Sequence, residues 1–256
     1  MKTLAVANQK SVGKSTLAIH LAYAGAAAGL RVLMVDMDKQ GSLTMCFPPI
    51  NGDASGLLAS SLYDEDQPAA ALEYIGEKVA IIRATPILAA LDSAPDIFIK
   101  RPRLNLRRFA NDFDLCIIDT PGHIGMSLNA SLAAADAVVC PVSIGKFEMK
   151  ALSDLWAFIR AVKTKGYNPE LRLIGILPNR VNTRSPLEIQ GLQALREQYG
   201  PAILAHTLPE RAAVKQSIEL NRPVWVSTKG AGHLAAAKEW KAACKTILVK
   251  LGSIPQ

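Results

Sequence analysis

The chain has 256 residues, half of them hydrophobic and one fifth charged, enough to bury a substantial core and too apolar for a disordered or low-complexity protein. No run approaches the roughly 18 consecutive apolar residues of a spanning helix, and the opening MKTLAVANQK lacks the basic leader and small-residue cleavage site of a secretory signal, so a cytoplasmic protein is expected. Basic residues exceed acidic ones by seven, and residues 201–256 alone carry eight basic against three acidic side chains, an asymmetry that points to a polyanionic partner.

In chain order, Thr3–Asn8 reads as a strand and Ser15–Gly29, rich in Ala and Leu and closing on a glycine, as a helix. Arg31–Asp36 is again a strand, so the first forty residues form a βαβ unit. Region 43–113 has blurred periodicity, with a strand near Val79–Ala84 and a helix near Asn105–Asn111. Strands follow at Asp114–Asp119, Ala137–Pro141, Leu171–Pro178 and Ala202–Ala205. Between and after them lie helices near Ser127–Ala135, Phe147–Lys165, Leu187–Tyr199 and Ala231–Lys250. Near-continuous apolar strands alternating with helices predict a single α/β domain over residues 1–256, with a mostly parallel twisted sheet and helices on both faces.

Cys46, Cys116, Cys140 and Cys244 form no CxxC pair and are expected to be buried and reduced. His20, His123, His206 and His233 lack ligand-like spacing, so no zinc site is expected. Aromatic residues at 5% argue against a stacking surface for single strands.

The chemistry concentrates after the first strand, in Asn8-Gln9-Lys10-Ser11-Val12-Gly13-Lys14-Ser15-Thr16. A GKST sequence between a strand and a helix is a phosphate-binding loop (P-loop), whose glycine lets backbone N–H groups turn towards a phosphate at a helix N-terminus. Lys14 would meet the β- and γ-phosphates, and the Ser15 hydroxyl would ligate Mg²⁺. Two further strands end in aspartates, Asp119 in DLCIIDTPG and Asp36 with Asp38 in VDMDKQGS, at the crevice where such sheets bind ligands.

These segments, together with ADAVVCPV, LPNRV and NRPVW, resemble the ParA/MinD family of deviant Walker ATPases, and within it the plasmid and chromosome partition ATPases, over most of residues 1–225. The resemblance implies ATP/ADP and Mg²⁺ as cofactors, and an ATP-bound homodimer that coats nonspecific double-stranded DNA. It also implies hydrolysis stimulated by a ParB-type centromere-binding protein, and a cytoplasmic, nucleoid-associated location without stable membrane insertion. On it, Ser11, Val12, Gly13, Lys14, Ser15 and Thr16 bind nucleotide, Ser15 and Asp119 hold Mg²⁺, and Asp38 positions the attacking water. Asn179 and Pro209 fall where the family flanks the base, and Lys10 falls on the signature lysine that reaches the partner's phosphates if the loop's gap lies after it, whereas without a gap Gln9 takes that slot. Arg211, Lys215 and Arg222, in the basic last third, are the DNA-binding candidates.

The loop departs from the family pattern. Lys-Ser-Val-Gly-Lys is one residue shorter than the usual Lys-Gly-Gly-Val-Gly-Lys, and Lys39 stands where the family has proline. ATP binding with weak dimerisation and slow turnover is therefore expected. The alternatives are a MinD-like membrane-associated positioning ATPase and a weakly hydrolysing nucleotide-dependent scaffold or regulator. The former would use Trp240, Cys244, Ile247, Leu248 and Leu251 as a membrane stripe, although a core-packing helix is the preferred reading of that pattern. Metabolic ligases and nitrogenase-type iron proteins share the loop, but the ligases give the basic tail no use and the cysteines do not suit a cluster.

Overall fold

A computed structural model of the chain describes residues 1–9, 11–49, 56–65, 71–91 and 94–255, with the backbone alone for 146–149. Lys10, a candidate from the sequence, lies outside the described residues. In chain order the elements are β1 (Lys2–Val6), α1 (Lys14–Ala27), β2 (Val32–Asp36), α2 (Ser42–Met45), β3 (Glu73–Gly76), β4 (Val79–Ile82), α3 (Leu88–Leu91) and α4 (Arg101–Leu106). There follow β5 (Leu115–Asp119), α5 (Met126–Ala134), β6 (Ala137–Val142), α6 (Lys146–Thr164), β7 (Arg172–Val181), α7 (Pro186–Tyr199), β8 (Leu208–Pro209), α8 (Ala212–Glu219) and α9 (Gly230–Leu251).

The strands form one eight-stranded sheet in the order β3-β4-β2-β5-β1-β6-β7-β8, parallel except for the β3–β4 edge pair. Successive strand residues point to opposite faces, and both faces are covered. Leu4, Val6, Met34 and Ile117 pack with Leu17, Leu21, Trp240 and Ile247 of α1 and α9. On the other face, Leu33, Val35, Cys116 and Ile118 pack with Leu106, Met126 and Ala130 of α4 and α5. Farther along that face, Val138, Cys140 and Ile176 meet Leu152, Leu155 and Leu195 of α6 and α7. Double coverage explains why these strands read as continuous apolar runs rather than alternating ones.

Helix α1 owes its close seat on the sheet to Gly25, where an added Cβ would stand 2.9 Å from Leu115 Cδ2. It ends where Leu30 N–H returns to Gly25 O at 3.1 Å around a left-handed Gly29. The stripe Trp240, Cys244, Ile247, Leu248 and Leu251 is wholly buried, so α9 is a core helix. Cys116 and Cys140 are likewise interior, burial pushing each thiol up to about 12. No helix among the described residues is long and apolar enough to cross a membrane.

Two elements differ from the sequence expectation. Ala202–Ala205 is not a strand: Gly200–Ala202 forms a 3₁₀ turn, Ile203 makes an isolated bridge to Ile176, and β8 lies farther on at Leu208–Pro209. The apolar run is explained by Leu204, whose side chain fills the space over Gly175, where a Cβ would stand 2.7 Å from Leu204 Cδ2. The helix expected at Asn105–Asn111 starts one turn earlier, because Pro102 opens α4 in its first turn. It gives way to a 3₁₀ turn over Arg107–Phe109, while Asn105 donates to Leu62 O and Asp64 O.

A buried polar chain fixes the loop after β2. Asp36 accepts from Thr44 N–H and Oγ1–H, both at 2.8 Å, and from Asp38 N–H at 3.1 Å. Thr44 O in turn accepts from the buried guanidinium of Arg83, which pairs with Glu73 of β3 through Nε at 2.6 Å. Removing one partner of a buried ion pair is costly, whereas replacing both with apolar groups often is not. Arg83→Met is therefore expected to lose about 3 kcal/mol and roughly 8 °C of melting temperature. Glu73→Leu added to Arg83→Met should restore most of it in a thermal melt; a double variant as unstable as the single would contradict this view of the pair.

Candidate active site

Three strand ends reach one level at the carboxyl edge of the sheet. Val6 of β1 pairs with Asp119 of β5, and Asp119 pairs with Asp36 of β2. The chain leaves β1 through Asn8, whose buried amide donates to Pro141 O at 2.6 Å and whose Oδ1 accepts from Gln9 N–H at 2.7 Å. The loop then turns at Gly13, left-handed at φ 85, and enters α1 at Lys14. Gly13 is required twice over, since a Cβ there would also lie 2.6 Å from Asn179 Nδ2. Neither Ser11 nor Val12 is driven to a positive φ, so the described part of the shortened loop needs no second glycine.

Strand β7 supplies what holds this loop. Asn179 Nδ2 donates to Val12 O at 2.8 Å, and Arg180 Nη1 donates to Ser11 O at 3.0 Å. With these carbonyls occupied, the N–H groups of the first turn of α1, from Lys14 to Thr16, have no intrahelical acceptor and form a donor cluster suited to an anion.

The charged groups behind the loop are strongly perturbed. Lys14 is buried, and its ammonium is pulled below the ordinary lysine range by desolvation, against the attraction of Asp119 and Asp38. Asp119 is buried with no hydrogen-bond partner for either carboxylate oxygen. Burial and then the neighbouring Asp36 raise it to about 8, while the nearby Ser15 hydroxyl and Lys14 oppose the shift. Asp36 rises to about 6 through burial, opposed by its bonds from Thr44. A buried carboxylate with both oxygens unpartnered beside a serine hydroxyl is a donor set that fits Mg²⁺. Ser15 and Asp119 are the residues that would hold it.

Two cavities flank the loop. One of about 540 Å³ is lined by Ser11, Lys14, Ser15, Asp38, Lys39 and Gly122. The other, of about 360 Å³, is walled by Asn179, Pro209, Val214, Ile218 and Trp240. Gly13, Thr16, Arg180 and Ile218 line both. The geometry therefore sets a chamber holding Lys14 and Asp38 beside one with an apolar wall of Val214, Ile218 and Trp240 and a charged rim of Arg180, Glu210, Arg211, Lys215 and Glu219. That apolar wall is what a nucleotide's base requires. Asn179 and Pro209 thus lie in the apolar-walled chamber, with Asn179 bonded to the loop.

Sequence reasoning passed over Arg180, Lys39 and Trp240 as lining residues. Arg180 stood next to Asn179 in LPNRV, and its left-handed φ of 56 is a local strain that sequence does not announce.

Of the DNA-binding candidates, Arg211 and Lys215 line the second chamber as well, and Arg222 lines neither. Arg211 makes a two-point pair with Glu239 at 2.8 and 2.6 Å, and Lys215 pairs with Glu210 at 3.0 Å. Arg211 and Arg222 line a third cavity of about 600 Å³ together with Lys229 and His233.

The AAA domain family model (AAA_31) matches residues 1–173. The IncC protein of Escherichia coli is 31% identical over 98% of this chain and 70% of its own length. The chain belongs to this AAA domain family, among its ParA/MinD-type P-loop ATPases. The chromosome-partitioning ATPase Soj of Thermus thermophilus is 31% identical over 88% of the chain and 87% of its own. Cobyrinic acid a,c-diamide synthase of Mycobacterium smegmatis, solved with ADP and magnesium, superimposes with a TM-score of 0.79 at 25% identity, covering 97% of this chain and 94% of that one. An ATP complex of McdA from Cyanothece shares the fold, with a TM-score of 0.84 at 20% identity over 100% of this chain and 98% of that one.

In a ParA/MinD-type site the raised Asp119 has a consequence for stability. Its folded value lies far above its ordinary 3.8, so folding favours the protonated acid. The favourable contribution is complete below about pH 4 and is lost as pH rises towards about 8. Asp119→Asn removes the titration and should make the nucleotide-free protein more stable at about pH 8.5 by about 2 kcal/mol, with a gain that shrinks as pH falls to about 5. Denaturant titrations at the two pH values check this; a constant difference would contradict the shift.

Proposed function

We propose that the protein is a DNA partition ATPase, which binds ATP with Mg²⁺, dimerises around it, holds nonspecific DNA in that state and is released when a ParB-type partner stimulates hydrolysis. The observation that carries the reading is the buried Asp119 with both oxygens unpartnered, electrostatically engaged with Lys14 behind the loop. Bound Mg²⁺ would neutralise phosphate charge there. Lys14 meets the phosphates, Asp38 orients the attacking water, and Asn179 with Pro209 and Trp240 frames the base. Lys10 is proposed to reach the partner protomer's phosphates, and turnover is proposed to be slow because the loop is short. The chromosome-partitioning names of the relatives Soj and ParA and the basic last third of the chain support the DNA half. The burial of the α9 stripe favours DNA over a membrane as the surface bound.

Lys14→Ala should abolish nucleotide binding, whereas Asp38→Ala should retain it and hold the ATP state. The lysine acts on ground-state charge and the aspartate on the water. Nucleotide-binding and phosphate-release assays separate the two, and wild-type hydrolysis by Asp38→Ala would overturn the assignment of Asp38.

Because Arg211 is tied to Glu239, reversing its charge would disturb the fold. The DNA test therefore uses Lys215→Glu with Arg222→Glu. That pair should remove ATP-dependent co-sedimentation with plasmid DNA; because Lys215 also lines the base chamber, Arg222→Glu alone is the arm that should weaken DNA binding with ATP affinity within about threefold. In wild type, binding should weaken steeply with salt, as phosphate contacts release counterions. Equal DNA binding by variant and wild type would sink the assignment of this surface.

A further inference from the structure

Helix α1 carries, one turn beyond the phosphate loop, a histidine that the nucleotide site does not use. His20 is completely buried, with its ring centroid 4.3 Å from that of Trp240 and 5.4 Å from that of Trp225. Its Nδ1 lies 2.7 Å from Thr16 O, and its Nε2 accepts from Val224 N–H at 3.1 Å. One neutral tautomer, with the proton on Nδ1, satisfies both bonds, and burial supports it by holding the imidazole down at about 4.

Each partner of this ring belongs to something else. Thr16 lines both chambers, and Trp240 walls the apolar one. Val224 lies in the segment joining α8 to α9, and its carbonyl is 2.7 Å from His233 Nε2. His233, Arg222 and Lys229 line the third, basic cavity. A second strut runs alongside, since Tyr23 of α1 donates its hydroxyl to Asn221 O at 2.9 Å.

The joining segment turns through a left-handed residue at each end. Asn221 and Ser227 adopt left-handed φ values of 48 and 53; asparagine takes this conformation readily just past a helix end, whereas serine holds it only when its surroundings impose it. The same cluster also contains a buried donor without an acceptor, Trp240 Nε1, so its hydrogen bonding is incomplete as it stands. A segment with a strained serine at one end, tied to α1 through the His20 ring and the Tyr23 hydroxyl and carrying two cations, is a candidate two-position element.

We propose that His20 is the positioning residue through which occupation of the nucleotide site is passed to residues 221–227, and so to the basic surface that Arg222 and Lys229 present. A base in the apolar chamber presses on Trp240 and phosphates gather the first turn of α1 around Thr16; both movements meet at the His20 ring, which holds Val224. The surface's use for DNA rests on the partition reading, but the link from nucleotide to segment does not.

Hydrogen exchange with mass spectrometry on the full chain, with and without ATP and Mg²⁺, reads the link directly. ATP with Mg²⁺ should slow exchange in peptides covering 221–229 by at least about fivefold in wild type. His20→Phe keeps a ring between the two tryptophans and removes both hydrogen bonds. It should reduce the nucleotide effect to near none while ATP affinity stays within about threefold. Tyr23→Phe, which removes a single hydroxyl, should give an intermediate response and serves if His20→Phe does not fold. A wild-type segment indifferent to ATP, or nucleotide effects of wild-type size in both variants, would overturn the link. Co-sedimentation with plasmid DNA is measured in parallel: absence of wild-type DNA binding counts against the partition reading alone, and the exchange data decide the link in either case.

Discussion

Three ionisable groups, Lys14, Asp36 and Asp119, are buried together at the carboxyl edge of the sheet, and the surrounding structure is shaped by the cost of keeping them there. Charges out of water are tolerated only where partners compensate them. Asp36 finds compensation inside the fold, from Thr44 and the backbone of Asp38. Asp119 does not. The two are adjacent across paired strands and differ in one respect, which makes Asp36 a structural anchor and leaves Asp119 with capacity for a cation.

That division organises the loops. The bonds to Asp36 fix the turn after β2, so that Asp38 is presented to the phosphate-side chamber. The same Thr44 ties that turn to Arg83 and the β3–β4 edge. On the far side, Asn179 and Arg180 hold the carbonyls of the phosphate loop. The shortened loop lacks the family's glycine pair yet is braced by β7, and neither Ser11 nor Val12 is driven to a positive φ. Bracing from outside replaces flexibility within, an arrangement that preserves a nucleotide cradle without two of the usual glycines.

Much of this was legible in the chain because the information is local. The P-loop sits between one strand and one helix, and each aspartate terminates its own apolar run, so spacing alone placed Lys14, Ser15, Asp36, Asp38 and Asp119 at one edge. What was hidden depends on distant contacts. Arg180 reaches Ser11 across 169 positions and Val224 reaches His20 across 204, and no periodicity encodes such pairs. Trp240 was read as core, which it is, yet it also walls a chamber. The segment 202–205 is apolar because Leu204 fills the space above Gly175 rather than because it is a strand. Among the described residues of 43–113, short 3₁₀ turns and elements of four to six residues stand in place of long periodic ones, so the pattern there was weak for a structural reason.

The central claim is that Asp119 and Lys14 form a site for a nucleotide bound together with a divalent cation, and thermal melting of the wild-type protein tests it most directly. Three conditions suffice: ATP with Mg²⁺, ATP with EDTA, and Mg²⁺ alone. A ligand that binds only the folded state at about a hundred times its dissociation constant stabilises by about 2.7 kcal/mol, which raises the melting temperature by roughly 5–10 °C in a chain of this size. The account predicts that full shift with ATP and Mg²⁺ together, and clearly smaller ones with ATP and EDTA or with Mg²⁺ alone. Equal stabilisation by ATP with Mg²⁺ and by ATP with EDTA would contradict it, because the unpartnered carboxylate would then have no part in holding the nucleotide.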